Sequence, residues 1–280
     1  MARQPDDNPL AILRHRKLDA VIMQVILVVL ALWWLFPLIT VVRQSLQVGG
    51  FGNYAKVLTQ SLNGVRLPQT FLNSVIIAAI TALLVCGSGA LAGYAFSRVR
   101  FRGREWAYYL ALVVLAVPAT AVIVPVYFIT GKLGLFDSYL GVALPETALT
   151  LPFAVLLLRN YADGISESLF EAASIDGASH WRIFRTIFLP LAAPVMINLG
   201  SLSVMWSFQD FLFPSLLLKS PGLTTTAQAV QTIRSAFSPT PQQTAEFFAA
   251  LVLLAVPALV LIIVGLRWMS LGLTAGGTKE

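Results

Sequence analysis

The chain has 280 residues, of which 57% are hydrophobic and 11% are charged, and its mean hydropathy is +0.78. Soluble domains carry about 25% charged residues, so this chain has too few polar groups to cover a water-soluble globule and is expected to lie largely in lipid. The net charge of +6 does not indicate nucleic-acid binding, because the basic residues are spread over short segments between apolar runs.

Six apolar runs are long enough to cross ~30 Å of hydrocarbon, and together they predict an all-α, polytopic membrane helical bundle. In chain order the predicted spans are residues 20–42, 67–97, 106–131, 138–158, 191–218 and 247–266. The first run is too long for a signal peptide and lacks a small-x-small cleavage site, so we expect it to be retained. The fourth contains Glu146 beside Pro145, which predicts a broken or re-exposed stretch.

Lys and Arg are distributed unequally between the two sides of the predicted bundle. The N-terminus, the second loop, the fourth loop and the C-terminus hold 13 of the 19 basic residues, and the other side holds 6. The positive-inside rule therefore predicts that both termini are cytoplasmic. The expected organisation is one transmembrane domain over residues 1–280, with cytoplasmic tails at 1–19 and 267–280, a six-span bundle at 20–266 and a cytoplasmic loop at 161–190.

The second loop carries the densest basic cluster, made of Arg98, Arg100, Arg102 and Arg104. This cluster predicts a topology anchor that contacts lipid phosphate. Cys86 is the single cysteine of the chain, so no intrachain disulfide is expected. The sequence contains no phosphate-binding loop of the G-x-x-x-x-G-K-[ST] type, no metal-ligand cluster and no catalytic constellation, so we expect neither enzymatic activity nor ATP binding by this chain.

A polar segment, EAASIDGASHWRIFRTIFLP, separates the fourth and fifth spans and extends from Glu171 to Pro190. Ser168 and Glu171 have the spacing of a capping box, which predicts a short helix that begins near residues 166–169. Ala172 and Ala173 are expected on its exposed surface, where such small side chains would let another protein's groove close around the helix.

The same segment predicts a turn and a second helix. Asp176-Gly177 is a suitable helix end, because glycine accepts positive φ without strain. Ser179 is a suitable N-cap, and the aromatic residues that follow fall on one face, namely Trp181, Phe184 and Phe188. Pro190 is expected to stop or bend this helix. The predicted result is a compact helix-turn-helix between two spans.

The spacing within this segment resembles the signature of the membrane subunits of bacterial ATP-driven importers, the ABC importer permeases. All seven specified positions match: Glu171, Ala172, Ala173, Gly177, Ile187, Leu189 and Pro190. Four further stretches resemble the carbohydrate-uptake branch, and more narrowly the second permease subunit of maltose-type and glycerol-phosphate-type importers: TFLNSVIIA (70–78), GYAFSRVRFRGR (93–104), LGLFDSYLGVALP (133–145) and GLTAGGTKE (272–280).

The resemblance implies a multi-pass subunit of the bacterial plasma membrane that imports a sugar or a sugar-like polyol or phosphodiester. It implies a heterodimer with a second permease, two ATPase subunits or an ATPase homodimer, and an extracytoplasmic solute-binding protein. This chain would need no cofactor, since ATP and Mg²⁺ would lie on the ATPase subunits. The residues expected to couple to the ATPase are Glu171, Ala172, Ala173, Asp176, Gly177, Ile187, Leu189 and Pro190.

The candidate residues of the solute pathway are Asn73, Trp206, Phe208, Gln209 and Asp210. Members of the branch usually carry Trp-Asn followed by an acid in the fifth span, whereas this chain reads Phe208-Gln209-Asp210, so the resemblance does not transfer a sugar specificity. Asp210 is either a hydroxyl-binding group or a structural acid bonded to a neighbouring helix or backbone. Asn73 is either a pathway residue or an interhelical hydrogen-bonding group.

A secondary transporter or another multispan protein that acts alone is the alternative function. Such carriers tend to place ionisable residues inside their spans, often in repeated halves. Only Glu146 and Asp210 qualify here, and no internal repeat is apparent. Co-purification with an ATPase would distinguish the importer subunit from the carrier.

Overall fold

The computed structural model describes residues 17–276 apart from residue 63 and residues 236–239, and nearly all of these residues are helical. The first six helices are α1 (Lys17–Ser45), α2 (Gly52–Thr59), α3 (Leu67–Arg98), α4 (Arg104–Val113), α5 (Ile123–Lys132) and α6 (Tyr139–Asp163). The next six are α7 (Glu167–Ile175), α8 (His180–Ile183), α9 (Leu189–Gln209), α10 (Leu212–Leu217), α11 (Thr226–Ser235) and α12 (Pro241–Gly276). The predicted all-α architecture is confirmed.

Within these described ranges, 5 continuous helical segments are long and apolar enough to cross a membrane, namely α1, α3, α6, the run from α8 through α9, and α12. The pair α4 and α5 supplies a sixth if it is counted as one broken span, since the two halves are bent by 100°. Helices suit this role because lipid offers no hydrogen bonds, so each backbone N–H and C=O must be satisfied within the chain.

The third predicted span, residues 106–131, is present as the bent pair α4 and α5 and is not one straight helix. Short 3₁₀ turns follow α4 at Val114–Ala116 and precede α5 at Ala119–Val122. Between them Val117 is extended, with φ −85° and ψ 116°. Pro118 explains the break, because it lacks a backbone N–H and its ring disfavours helical geometry at the preceding residue.

The fourth span is continuous, and the prediction of a broken or re-exposed stretch at Glu146 is wrong. Helix α6 passes through both Pro145 and Pro152. Glu146 is only 7% exposed, and the Thr81 hydroxyl donates to its Oε2 at 2.8 Å. Membrane helices tolerate proline where neighbouring helices support them, and α6 packs along α3 more extensively than any other described pair of helices.

Two glycines on α3 explain this close packing. A Cβ atom added to Gly89 would lie 2.8 Å from the Ala154 Cβ, and one added to Gly93 would lie 2.7 Å from the Leu158 Cβ. The two glycines are four residues apart, which is the small-xxx-small pattern that lets membrane helices approach closely. They place α3 at the centre of the bundle, between α6 and α9.

The fifth span ends earlier than predicted. One continuous helical run extends from His180 to Gln209. The chain is then extended at Asp210, with ψ 125°, before the separate short helix α10 begins. Asp210 therefore lies at the end of a span, whereas residues 191–218 were predicted to form one membrane-crossing run.

The two terminal spans form the periphery of the described bundle. Helix α1 packs mainly on α12, and its apolar side chains remain open, with Trp33 78% and Trp34 79% exposed. Helix α12 continues to Gly276, past the predicted end of the sixth span. Residues 1–16 and 277–280 of the predicted cytoplasmic tails lie outside the described residues.

Candidate functional site

The polar segment after α6 forms the predicted helix-turn-helix, although its first helix begins differently. Helix α7 has Ser166 as its N-cap residue, and no side chain caps it. The Ser166 and Ser168 hydroxyl oxygens lie 2.7 Å apart and bond to each other. The predicted capping box of Ser168 and Glu171 is therefore wrong, because the Ser168 hydroxyl is engaged with a neighbouring serine.

Helix α7 ends as the sequence predicts. Gly177 has φ +75°. Its N–H donates to the Ser174 carbonyl at 3.1 Å, and the Ala178 N–H donates to the Ala173 carbonyl at 3.0 Å. This pair of bonds is the Schellman arrangement, which satisfies the last carbonyls of a helix and requires a left-handed residue at the glycine position. The turn between α7 and α8 is therefore fixed by backbone bonds.

The second helix starts at the predicted cap but does not stop at Pro190. The Ser179 hydroxyl accepts from the Arg182 N–H at 3.3 Å. A π-helical turn, Phe184–Phe188, then joins α8 directly to α9. Pro190 lies in the first turn of α9, and a proline costs little where the chain has just left regular α-helical bonding. The expected stop at Pro190 is wrong.

An aromatic cluster attaches this segment to the second span. The rings of Phe184 and Phe188 are both 5.3 Å from the ring of Tyr94 on α3, and Trp181 stacks on Phe184 at 5.3 Å. Phe184 and Phe188 are buried, whereas Trp181 is exposed. The Tyr94 hydroxyl also donates to the His180 carbonyl at 3.3 Å. The predicted aromatic face therefore packs on the bundle through Phe184 and Phe188 of the π-helical turn, whereas Trp181 of α8 remains exposed.

Arg98 ties the start of α7 to the same span. Its guanidinium donates to the Ile165 carbonyl at 2.8 Å and to the Ala162 carbonyl, and it lies 4.2 Å above the Phe170 ring. Arg104 donates to the Ser97 carbonyl at 3.2 Å. Arg98 and Arg104 are therefore bonded within the chain. Of the predicted lipid anchor, only Arg100 and Arg102 are exposed and free to contact lipid phosphate.

Helix α7 presents one face to the bundle and another outward. Phe170 is buried and Ala173 is partly buried against the core, so the expectation that Ala173 lies on the exposed surface is wrong. Ala172 is exposed, and Ile175 is 86% exposed. Sequence reasoning missed Ile175, although an isoleucine next to Asp176 at the end of a polar helix was a usable signal.

The remaining predicted coupling residues fall into two groups. Glu171, Asp176, Gly177 and Pro190 are exposed, and Ile187 and Leu189 are partly buried against the core that contains Phe188. The outward face of the segment therefore combines small and charged side chains with the exposed apolar side chains of Leu169, Ile175 and Trp181.

The five candidate pathway residues do not all lie at the same site. A cavity of about 240 Å³ lies between α3, α6 and α9, and Trp206, Gln209 and Asp210 line it. Phe208 is buried and does not line this cavity. Asn73 lies elsewhere on α3, so three of the five candidates share one site.

Asn73 is fully engaged within the chain. Its Nδ2 donates to the carbonyls of Gly222 and Thr224, both at 2.9 Å. Its Oδ1 accepts from Gln69 at 3.0 Å and from the Tyr139 hydroxyl at 2.9 Å. An asparagine side chain has two donors and two acceptor sites, so the interhelical interpretation of Asn73 accounts for all of them.

The Asp210 carboxyl also accepts hydrogen bonds from the backbone. One carboxyl oxygen accepts from the Leu212 N–H at 2.9 Å, and the other accepts from the Phe213 N–H at 3.3 Å. Each bond satisfies a backbone donor in the first turn of α10, where a helix has no partner of its own. Asp210 thus acts as a structural acid while it also borders the cavity.

Three further polar residues of this cavity were not among the sequence candidates, namely Thr81, Glu146 and Ser207. Glu146 could have been found, since an acid inside an apolar run is expensive and usually functional. Thr81 and Ser207 gave no such signal, because isolated hydroxyl residues in spans are common interhelical groups.

Comparison with known proteins identifies the family. Residues 86–271 match the model of the binding-protein-dependent transport system inner membrane component. The chain belongs to this family. It is therefore a membrane permease subunit of an ATP-driven importer, as the sequence resemblance implied, and not itself an enzyme. The alternative of a carrier that acts alone is wrong.

The sequence similarity to individual relatives extends over most of the permease. The chain is 30% identical to the maltodextrin transport system permease protein of Bacillus subtilis over 273 residues, covering 94% of this chain and 98% of that one. It is 36% identical to an osmoprotective compounds uptake permease protein of Synechocystis over 182 residues, covering 64% and 58% respectively.

A solved structure shares the fold. The permease resembles a chain of a bacterial ABC transporter involved in alginate import, with a TM-score of 0.72, 21% identity, and coverage of 94% of this chain and 99% of that one. The likeness confirms the helical importer-permease bundle.

Proposed function

We propose that this permease forms one half of the translocation pathway for a sugar or a sugar-like solute, together with a second permease. ATPase subunits dock on the segment α7–α8 from the cytoplasm, and a solute-binding protein delivers solute on the opposite side. Both termini are cytoplasmic in this arrangement. The observation that carries the proposal is a short helix-turn-helix, fixed to the bundle, whose outward face includes Ala172 and Ile175.

Rigidity is what the coupling role requires. ATP-driven closure of a partner reaches the membrane only through contacts that do not yield, because packed elements switch between discrete arrangements. Three features fix α7 and α8 to the second span, namely the Schellman turn at Gly177, the N-cap at Ser179 and the hydrogen bonds from Arg98 to two backbone carbonyls. We call these bonds from Arg98 the Arg98 clamp. Movement of α7 would thus be passed to α3.

Two observations support the orientation and the solute class. The basic residues of the sequence favour the side that bears α7, in a ratio of 13 to 6. Relatives include a maltodextrin permease, and another, 28% identical to this chain, is a trehalose permease of Mycobacterium tuberculosis. The departure at Phe208-Gln209-Asp210 limits the proposal to the class of solute.

The docking surface is tested with Ala172→Trp in the complete transporter. We expect cells to lose uptake of labelled maltose and trehalose, and the ATPase to be lost from pull-downs, while the permease remains in the membrane. Ala55→Trp is the matched control, because Ala55 is an exposed alanine on α2, away from α7. Normal uptake and normal ATPase recovery with Ala172→Trp would show that α7 is not the docking element.

The turn is tested with Gly177 variants. An added Cβ meets no atom within 4 Å, so the expected defect of Gly177→Val comes only from its positive φ, which β-branched residues resist. Gly177→Val should abolish coupling, whereas Gly177→Asn should retain part of it, since asparagine tolerates the left-handed region. Equal activity of the two variants would contradict the assigned role of the turn.

A further inference from the structure

The cavity between α3, α6 and α9 contains two buried polar atoms that the chain leaves without a hydrogen-bond partner. They are Glu146 Oε1 and Ser207 Oγ, on residues that are 7% and 8% exposed. Buried polar side-chain atoms are bonded in the large majority of cases, and each unbonded one costs free energy. A pair of such atoms at one cavity points to a bound group that supplies the missing bonds.

The Thr81 and Ser203 hydroxyls and the Asp210 carboxyl, which also line the cavity, already have partners. Glu146 Oε2 accepts from Thr81, and both Asp210 oxygens accept from backbone N–H groups. The Ser207 hydroxyl and the Asp210 carboxyl both lie close enough to the Glu146 carboxyl to interact with it, but neither has hydrogen-bonding geometry with Glu146 Oε1. Among the buried groups, one strong acceptor and one hydroxyl group remain, and both are complementary to hydroxyl groups of a ligand.

The walls of the cavity fit part of a saccharide. Trp206 is 47% exposed and contacts Phe153 edge-on at 5.5 Å, which leaves part of the indole open. Leu149 and Phe213 add apolar surface. The volume of about 240 Å³ is below the ~300–1,000 Å³ of pockets that hold drug-sized ligands, so it suits a single ring.

The position of the cavity suits a pathway site. Glu146 lies about 10 Å along α6 from Tyr139, at a rise of ~1.5 Å per residue. Thr81 lies about 20 Å along α3 from Leu67, by the same rise. The cavity therefore lies at membrane depth, on the half of the bundle that faces away from α7.

We propose that Glu146 and Ser207 form a solute subsite that binds hydroxyl groups of one ring of a neutral saccharide, with Trp206 beside the ring. The proposal rests on the proposed import of sugars. A divalent cation is a poorer occupant, because Ca²⁺ takes about 6–8 oxygen ligands and the described residues contain no group of three or more metal-ligating side chains.

The test measures protection of a reporter cysteine at Thr150, which lines the cavity. The complete transporter, with its ATPase and solute-binding protein, carries Thr150→Cys in a Cys86→Ser background. A small thiol reagent is applied with trehalose or maltose, with spermidine as a cationic probe, or with galacturonate as an acidic probe. We expect the neutral disaccharides to slow labelling. Glu146→Gln and Ser207→Ala should each raise the half-protecting concentration by about tenfold.

Thr147→Val is the matched control, since Thr147 is buried beside Glu146 but bonds only to the Ala143 carbonyl of its own helix. It should leave protection unchanged, and all variants should recover the ATPase normally. Protection that survives both Glu146→Gln and Ser207→Ala, protection by spermidine or galacturonate alone, or no protection by any probe would each overturn the subsite. Protection by a disaccharide that cells do not import would instead contradict the proposed function and leave the subsite standing.

Discussion

The segment α7–α8 and the cavity between α3, α6 and α9 differ in whether their polar groups have hydrogen-bond partners within the chain. In the segment, the turn, the N-cap and the loop carbonyls are bonded within the chain. In the cavity, a carboxyl oxygen and a hydroxyl group are buried without partners. This contrast agrees with the two proposed roles, because a segment that transmits movement gains from bonding its own groups, whereas a subsite for a solute must leave some groups free to bind it.

The largest effect is expected from breaking the clamp with Arg98→Ala. The change removes two bonds from a charged donor to backbone carbonyls and the contact with Phe170. Hydrogen bonds to charged groups contribute about 1.5–3 kcal/mol each, so ATPase recovery in pull-downs should fall at least about tenfold.

Arg100→Ala is the control for this change, because Arg100 is exposed in the same loop. If Arg98→Ala and Arg100→Ala reduced ATPase recovery equally, the second loop would act as a uniform lipid anchor, and the clamp would have no special role.

A second prediction concerns Glu146→Leu, which should abolish transport without lowering the stability of the protein. Replacing this acid by an apolar side chain removes the cost of the unbonded oxygen, about 1–3 kcal/mol, which offsets the loss of the bond from Thr81. The thermal unfolding temperature of the purified permease complex should therefore rise or stay constant, while sugar uptake is lost. A clear fall in the unfolding temperature would show that Glu146 is a structural residue.

A smaller effect is expected from Ser179→Ala. The Ser179 hydroxyl caps α8, and loss of an N-cap costs about 1 kcal/mol. Uptake should fall severalfold without loss of the permease from the membrane. Ser179→Asp, which can also accept the N–H bond, should restore uptake, and failure of this rescue would mean that the serine acts through some other contact.

The smallest effect concerns the loop before α6. Hydrogen bonds from the Ser220 hydroxyl and from the backbone N–H groups of Ser220 and Lys219 lower the pKa of the Asp137 carboxyl. A lowered pKa stabilises the folded state above the ordinary pKa of about 3.9, and this stabilisation disappears as the pH falls through the lowered value.

Asp137→Asn should therefore reduce the unfolding temperature slightly at neutral pH and have no effect in strong acid. Unfolding curves of both proteins between neutral pH and strong acid would measure the difference. A destabilisation that did not vanish in acid would show that charge is not involved.

Local chemistry predicted the turn between α7 and α8 and the N-cap of α8, and it predicted the packing of the bundle poorly. Gly177 and Ser179 act through bonds to residues a few positions away, so the sequence alone reveals them. Pro118 and Pro145 are equally visible, yet one breaks its span and the other lies within a continuous helix. The outcome depends on support from a neighbouring helix, here α3 against α6, which local sequence does not encode.

The cavity residues were also only partly predictable, because local sequence does not encode contacts between distant helices. Asp210 and Trp206 were candidates because of their chemistry, and both border the cavity. Asn73 was a candidate for the same reason, but its partners are the carbonyls of Gly222 and Thr224. Bonds across about 150 positions of chain cannot be seen in a sequence pattern.

The π-helical turn at Phe184–Phe188 also sets the angular position of the whole fifth span. A π-turn adds one residue relative to regular α-helical spacing, which corresponds to about 100° of rotation around the axis. The helix is continuous for 30 residues, from His180 at the start of α8 to Gln209 at the cavity. The aromatic residues at one end and Ser207 at the other therefore lie on a single continuous helix, and the π-helical turn determines which side of that helix borders the cavity.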